Sequence, residues 1–305
     1  MATNTEKVTL GNLTIKYSPN PENFQPSPEA RMKLKCSLDL AQRALKGAIA
    51  VLEEITKQRF IGLSTVGELP YKVLRTHFRL PAPPQEGDAR QQTWAQWSLD
   101  IHRISDNMKQ ILLGLTSPLT IADAFSSTVA REVQRQLVQF KRDEGDNIVD
   151  AILGGRFDQK EKEAKLAGQA LAWGRRGVVS PTRATLAELA KKPEEFAKHA
   201  ANDPSVHLTP EQQGSIKINF PMLLGDKRVS NARVGRVIVH EASHKFCYTR
   251  DFAYAGEEGY LQMSKAQGML NADSYAYAAV SLYKQHLFRS DDEMASPPKG
   301  MNMNG

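Results

Sequence analysis

Val237-Ile238-Val239-His240-Glu241-Ala242-Ser243-His244 is an apolar run that leads directly into two histidines four residues apart. On an α-helix, positions i and i+4 share a face, so His240 and His244 can present their imidazoles to one metal ion. Glu241 lies beside them and can point into the same cleft, where it could take a proton from a water that the metal activates. Val234, Val237 and Ile238 give the helix the apolar anchoring that a rigid metal-bearing element needs. The string His-Glu-x-x-His also arises by chance, and its plain alternative is two exposed histidines on a solvated helix. The apolar approach weighs against that alternative.

A catalytic zinc takes three protein ligands and keeps a fourth position open. A histidine six residues after His244 is absent, because that position is Arg250. The only later histidine, His286, belongs to a different expected helix. Glu257 and Glu258 come too soon after the motif, and Glu293 falls in the tail. Asp251 remains, seven residues past His244, where the chain has left the helix and can turn back.

Outward from the motif, the chain reads as mainly helical. Ser27-Pro28 has the form of an N-cap followed by proline at the first helical position. Leu34, Leu38, Ala41, Leu45, Ala48, Leu52 and Ile55 then recur at spacings of three and four, which predicts one long amphipathic helix. Trp97, Ile101, Ile104, Met108, Ile111 and Leu115 define a second, and Val129, Val133, Leu137 and Phe140 a third over 125–140. These stripes read as core faces. Between 143 and 204 the sequence is charged and weakly patterned, with short helices expected near 160–173 and 182–201 in an insertion or subdomain of unknown role. Ile216, Ile218 and Phe220 alternate with Lys217 and Asn219, predicting a half-buried strand. That strand precedes the motif helix, which reads as 229–246, and could accept a substrate backbone by edge pairing.

The expected organisation is an N-terminal arm (1–28), a helical part (29–142), the insertion (143–204), a metal-binding part (205–289) and a disordered tail (290–305). The fold class is mainly α (α+β), with a small antiparallel sheet beside the motif helix.

Composition narrows the function classes. The chain of 305 residues is 41% hydrophobic and 24% charged, ordinary for a soluble globular protein. No apolar run reaches the ~18 residues of a membrane span. No continuous apolar segment of secretory type occurs in the first twenty residues. Lys plus Arg is 40 against 34 Asp plus Glu, a net +6; the basic residues are scattered and accompany no nucleic-acid motif, so no nucleic-acid partner is expected. Cys36 and Cys247 are too few for a disulfide framework or an all-cysteine zinc site, and read as two idle thiols.

His240-Glu241-Ala242-Ser243-His244 is followed by Thr249-Arg250-Asp251-Phe252-Ala253-Tyr254 and then by Asn271-Ala272-Asp273-Ser274-Tyr275. These blocks resemble the HExxH, T-x-D-x-x-Y and N-A-D-x-Y motifs of the aspzincins, the deuterolysin and peptidyl-Lys metalloendopeptidase family. The matching is strong over the last third of the chain. The resemblance implies a helical zincin-like metalloprotease that hydrolyses peptide bonds in a protein substrate. One Zn2+ per chain would be held by His240, His244 and Asp251, with Glu241 as general base. Tyr254 would face the substrate and stabilise the developing oxyanion; its plain alternative is a packed tyrosine with a satisfied hydroxyl. Asp273 and Tyr275 would bind substrate, with Asp273 either lining a pocket for lysine at P1′ or orienting a metal ligand. Ala276 stands where lysine-specific members carry a second acidic residue. The chain is most similar to bacterial members, some of which leave the cytoplasm by specialised non-Sec machines, which implies a delivery partner and an effector role. A different class also fits the long helical N-terminal portion: a helical binding or delivery protein whose metal site is structural or vestigial.

Overall fold

The computed structural model describes residues 5–21, 23–57, 67–82, 91–123, 168–170, 215–247 and 249–305. Its longest element, α1 (Pro28–Lys57), begins where Ser27 Oγ accepts the Ala30 amide at 3.2 Å. Every residue of the predicted stripe from Leu34 to Ile55 is buried. The helices α2 (Leu69–Phe78) and α3 (Gln91–Thr116) follow, and α3 buries Trp97, Ile101, Ile104, Met108, Ile111 and Leu115. The motif helix is α4 (Asn231–Cys247), followed by α5 (Glu258–Gln262), α6 (Lys265–Leu270), α7 (Ala272–Tyr283) and α8 (Asp291–Ala295). α1 packs against α3, α4 and α7, and α4 also lies against α3 and α7. The helix carrying the two histidines is therefore clamped by three others.

Close approach is written into small residues. A β-carbon on Gly235 of α4 would lie 3.0 Å from the Ser37 carbonyl oxygen of α1, and one on Gly114 of α3 would sit 2.3 Å from the Phe246 ring of α4. Larger side chains at these two places would push the helices apart.

The sheet is small and mixed, in contrast to the antiparallel sheet expected. β1 (Glu6–Leu10) and β2 (Leu13–Tyr17) form a hairpin turning at Gly11, whose φ is +64°. β2 runs parallel to β3 (Leu119–Asp123), which runs parallel to β5 (Ser215–Ile218). The short β4 (Gly168–Ala170) pairs antiparallel on the far side of β5, giving the order β1-β2-β3-β5-β4. The parallel pairing of β2 and β3 follows from the connection: α1 to α3 carry the chain back to the same end of the sheet, which an antiparallel neighbour would not require. Leu13, Ile15, Leu119, Ile121, Ile216 and Ile218 join one core with the helices. In the hairpin turn, Asn12 Nδ2 donates to the carbonyls of Leu115, Thr116 and Ser117, satisfying the last turn of α3.

Four further expectations are corrected. The arm at 1–28 contains a hairpin built into the sheet, because Leu13, Ile15 and Tyr17 alternate inward with a period too short to stand out. β5 is an interior strand flanked by β3 and β4, so its edges are already used and it cannot pair with a substrate. Gly168–Ala170 is strand rather than part of a helix over 160–173. The tail at 290–305 is ordered: Met294 and Met303 are buried with Leu40, Ala232, Tyr277, Val280 and Phe288. The helices expected at 125–140 and 182–201 lie outside the described residues, as does nearly all of 143–204. Among the described residues no helix is long and apolar enough to cross a membrane.

Gly235→Val should lower the unfolding free energy by about 1–3 kcal/mol, since the carbonyl it meets is mid-helix backbone and cannot rotate away. Thermal and denaturant unfolding read the effect. A midpoint equal to wild type would mean that α1 and α4 separate freely.

Candidate metal centre

α4 starts with Ser230 Oγ accepting the Arg233 amide at 3.2 Å, and Asn304 from the C-terminal segment accepts the Asn231 amide at 2.9 Å. Its Val234, Val237, Ile238, Val239, Ala242 and Phe246 are all buried, which fixes the rotation of the helix about its axis. His240 and His244 consequently face the same way, with Nε2 atoms 3.1 Å apart.

Past Cys247 the chain folds back. Arg250 bridges to Asn271 in parallel fashion, its amide donating to the Leu270 carbonyl at 2.8 Å while the Ala272 amide donates to the Arg250 carbonyl at 2.9 Å. The wholly buried Asn271 side chain pins the same turn: its Oδ1 accepts from Phe252 N at 2.9 Å and its Nδ2 donates to the Ala253 carbonyl at 3.0 Å. This brings Asp251 over the helix, with Oδ1 3.2 Å from His240 Nε2 and 3.2 Å from His244 Nε2. His240, His244 and Asp251 form a cluster that could hold a metal ion.

The hydrogen bonds behind these groups decide the protonation. His244 Nδ1 lies 2.8 Å from the Thr249 carbonyl, which can only accept, so that nitrogen carries the proton. His240 Nδ1 lies 2.7 Å from the Asp273 Oδ1 carboxylate and likewise donates. In the neutral imidazoles both Nε2 atoms therefore present lone pairs, toward each other and toward a carboxylate oxygen. Three acceptors at 3.1–3.2 Å repel unless a positive charge sits among them, either a metal ion or, without one, a proton on His240 Nε2 facing Asp251. The donor set thus fits a bound metal ion. Burial would lower the His240 pKa, but Asp273 and Asp251 outweigh it and raise it well above the usual imidazole value. Burial likewise works against the Asp251 carboxylate, yet the two imidazoles hold its pKa far below the ordinary range.

Glu241 is 3% exposed, and burial pushes its carboxyl up to about 7. Its Oε2 is buried without a hydrogen-bond partner, which in a native interior points to a functional role. A carboxyl titrating near neutrality beside a metal cluster is suited to accept and return a proton. The Tyr254 ring stacks on His240 with centroids 6.0 Å apart and planes at 15°. Burial, followed by the charge of Asp251 and Asp273, raises its phenol pKa well above the usual value, keeping it a proton-bearing donor.

The two expected substrate-binding residues are placed elsewhere. Asp273 is buried, its Oδ1 engaged by His240 and Arg236 and its Oδ2 accepting Ala255 N at 2.8 Å. Both oxygens are thus committed inside the protein, on the side of the alternative in which Asp273 holds the His240 imidazole rather than lining a pocket for lysine. Tyr275, two residues further along α7, points into the core; its hydroxyl donates to the Met269 carbonyl at 2.7 Å and accepts from Asn107. Cys36 and Cys247 are both free thiols. Sequence reasoning missed Arg236 and the loop-pinning role of Asn271. Arg236 had a visible signal, a single charge inside Val234-Gly235-Arg236-Val237 one turn before His240.

Titration with a divalent transition metal should show one site per chain. Asp251→Ala and His244→Ala should each weaken it by more than about 100-fold, the upper range for loss of an outer partner alone. Wild-type affinity in either variant would place the metal elsewhere. No family model matches the chain, and neither does any curated protein or solved structure.

Proposed function

We propose that the chain is a zinc-dependent metalloendopeptidase. The observation that carries the reading is the buried Glu241 carboxyl, whose Oε2 has no hydrogen-bond partner, next in sequence to His240 in the converging set of His240, His244 and Asp251. Two imidazoles and one carboxylate suit zinc, whose bonds of about 2.0–2.1 Å to such ligands imply ligand–ligand separations near 3.3 Å in a tetrahedron. The 3.1–3.2 Å spacings in the protein lie close to that value. Three protein ligands leave a fourth position, the pattern of a catalytic rather than a closed structural site.

Zinc, when bound, supplies Lewis acidity that polarises a carbonyl and lowers the pKa of water. The chain's own groups do the rest. Glu241 takes the proton of the attacking water and hands it to the leaving amine, roles that a pKa near 7 serves in both directions. Tyr254 keeps its proton and donates a hydrogen bond from the phenol to the oxygen on which negative charge develops. Asp273 and the Thr249 carbonyl hold the two imidazoles in the tautomer that leaves Nε2 free. The resemblance to the aspzincins supports the same roles and the same substrate class, a protein or peptide chain.

Glu241→Gln should keep one zinc per chain while peptide-library cleavage falls by at least about 10²–10⁴-fold. Metal analysis and mass spectrometry of the digests read both quantities on one sample. Cleavage by Glu241→Gln at the wild-type rate would overturn the mechanism. Stoichiometric zinc with no cleavage by the wild type would favour a structural site on a binding protein.

A further inference from the structure

Behind the metal cluster lies a buried charge relay that reaches the C-terminal segment. Arg236 is almost fully buried and lies one helical turn before His240. Its Nη1 donates to Asp273 Oδ1 at 3.1 Å, the same oxygen that receives His240 Nδ1. On its other side, Nη2 donates to Asp291 Oδ2 at 3.0 Å and Nε lies 2.9 Å from Asp291 Oδ1. Asp291 is the first residue of α8, and Tyr277 donates its hydroxyl to it at 2.8 Å. The Tyr277 ring also lies under the Arg236 guanidinium, 5.0 Å from centroid to Cζ. Arg233, more exposed, approaches Asp291 Oδ2 at 3.2 Å.

The charges give this relay a direction. An arginine paired with Asp273 alone would neutralise it and compete with His240 for Oδ1. A second carboxylate on the far side of the guanidinium restores net negative charge behind the imidazole, which strengthens the Nδ1–H hydrogen bond and makes Nε2 a better donor to a metal. Arg233 works against this by drawing on Asp291, though its partial exposure screens the effect. We propose that Asp291 of the C-terminal segment is a positioning residue of the metal site, acting through Arg236 and Asp273 on His240 to raise metal affinity. The inference rests on the metal-site reading above.

Two substitutions of opposite sign test it on full-length, metal-free protein at low salt, with Co2+ as the probe. Asp291→Asn should weaken Co2+ binding about tenfold and alter the visible spectrum of the bound ion. In the metal-free protein it should also shift and speed the exchange of the His240 Nδ1–H resonance. Arg233→Met leaves Asp291 wholly to Arg236 and should tighten Co2+ binding about two- to threefold. Met303→Ala, which only loosens the packing of the segment, should lower the thermal midpoint and leave Co2+ affinity unchanged. A merely structural role cannot produce the tightening. The proposal is overturned if Asp291→Asn binds Co2+ as wild type does, or if Met303→Ala weakens binding as much. It is equally overturned if Arg233→Met weakens binding or leaves it unchanged, a result that stands even where Asp291→Asn fails to fold. Wild-type protein that takes up no Co2+ would overturn the metal reading itself, whereas normal uptake with indifferent variants would overturn only the relay.

Discussion

The Asp273 carboxylate ties the functional half of the protein together. A buried charge must be paired and hydrogen-bonded, or it drives the structure apart. Asp273 meets that demand by accepting from three different places: His240 and Arg236 on α4, and the Ala255 amide in the loop that follows Asp251. Because two donors lie on α4 and one in the loop after Asp251 while the acceptor sits on α7, satisfying one carboxylate ties three stretches of chain together. α7 is set against α4, the Asp251–Tyr254 turn is held over both, and His240 is locked in one tautomer. Burial weighs against the ionised form, but His240 and Arg236 keep the Asp273 pKa below its usual value.

That arrangement needs a helix that cannot roll. α4 is gripped on three sides by α1, α3 and α7, and Gly235 and Gly114 let it approach α1 and α3 more closely than any larger residue would allow. Apolar burial supplies the bulk of the cohesion, while the polar network sets the angular position of two imidazoles to within a hydrogen bond. The division of labour explains why an arginine can lie inside the core without disrupting it. Its guanidinium is held between two carboxylates and over a tyrosine face, and the carboxylates raise its pKa despite the burial.

Much of this was legible before any coordinates. The periodic stripes of α1 and α3 foretold their buried faces residue by residue, because long amphipathic helices leave a signal of many repeats. The cluster that could hold a metal ion was legible for a related reason: two of its members sit at helical spacing, and the third falls in the short segment just after. The hairpin at the N-terminus was not, since five-residue strands offer only two or three alternations, and Pro19, Pro21, Pro26 and Pro28 dominated the composition. Composition likewise misjudged the C-terminal segment. Its acidic and small residues look disordered, yet a few methionines and Asp291 suffice to bind it, because their partners come from α1, α4 and α7 far away in sequence. Asp273 shows the same limit more finely. Its motif was visible, but whether it faced substrate or ligand depended on the rotation of α7, which no local pattern encodes.

The exposure of the three candidate ligands adds a direction to the site. The His240 side chain is 8% exposed, that of His244 12% and that of Asp251 39%. Behind His240 stands Asp273, and behind His244 the Thr249 carbonyl, so neither imidazole leaves room for an incoming group on its inner side. β5 offers no edge of its own, as it is paired on both sides. Among the described residues the Asp251–Tyr254 turn is the wall of the cluster made of loop rather than helix, and it carries the most exposed of the three candidate ligands. That wall is held by Asn271, with two hydrogen bonds from its buried amide, and by Asp273 through the Ala255 amide. These anchors grip the backbone of the turn at Phe252, Ala253 and Ala255, so the Asp251 carboxylate is held over the imidazoles without spending its own oxygens on the fold.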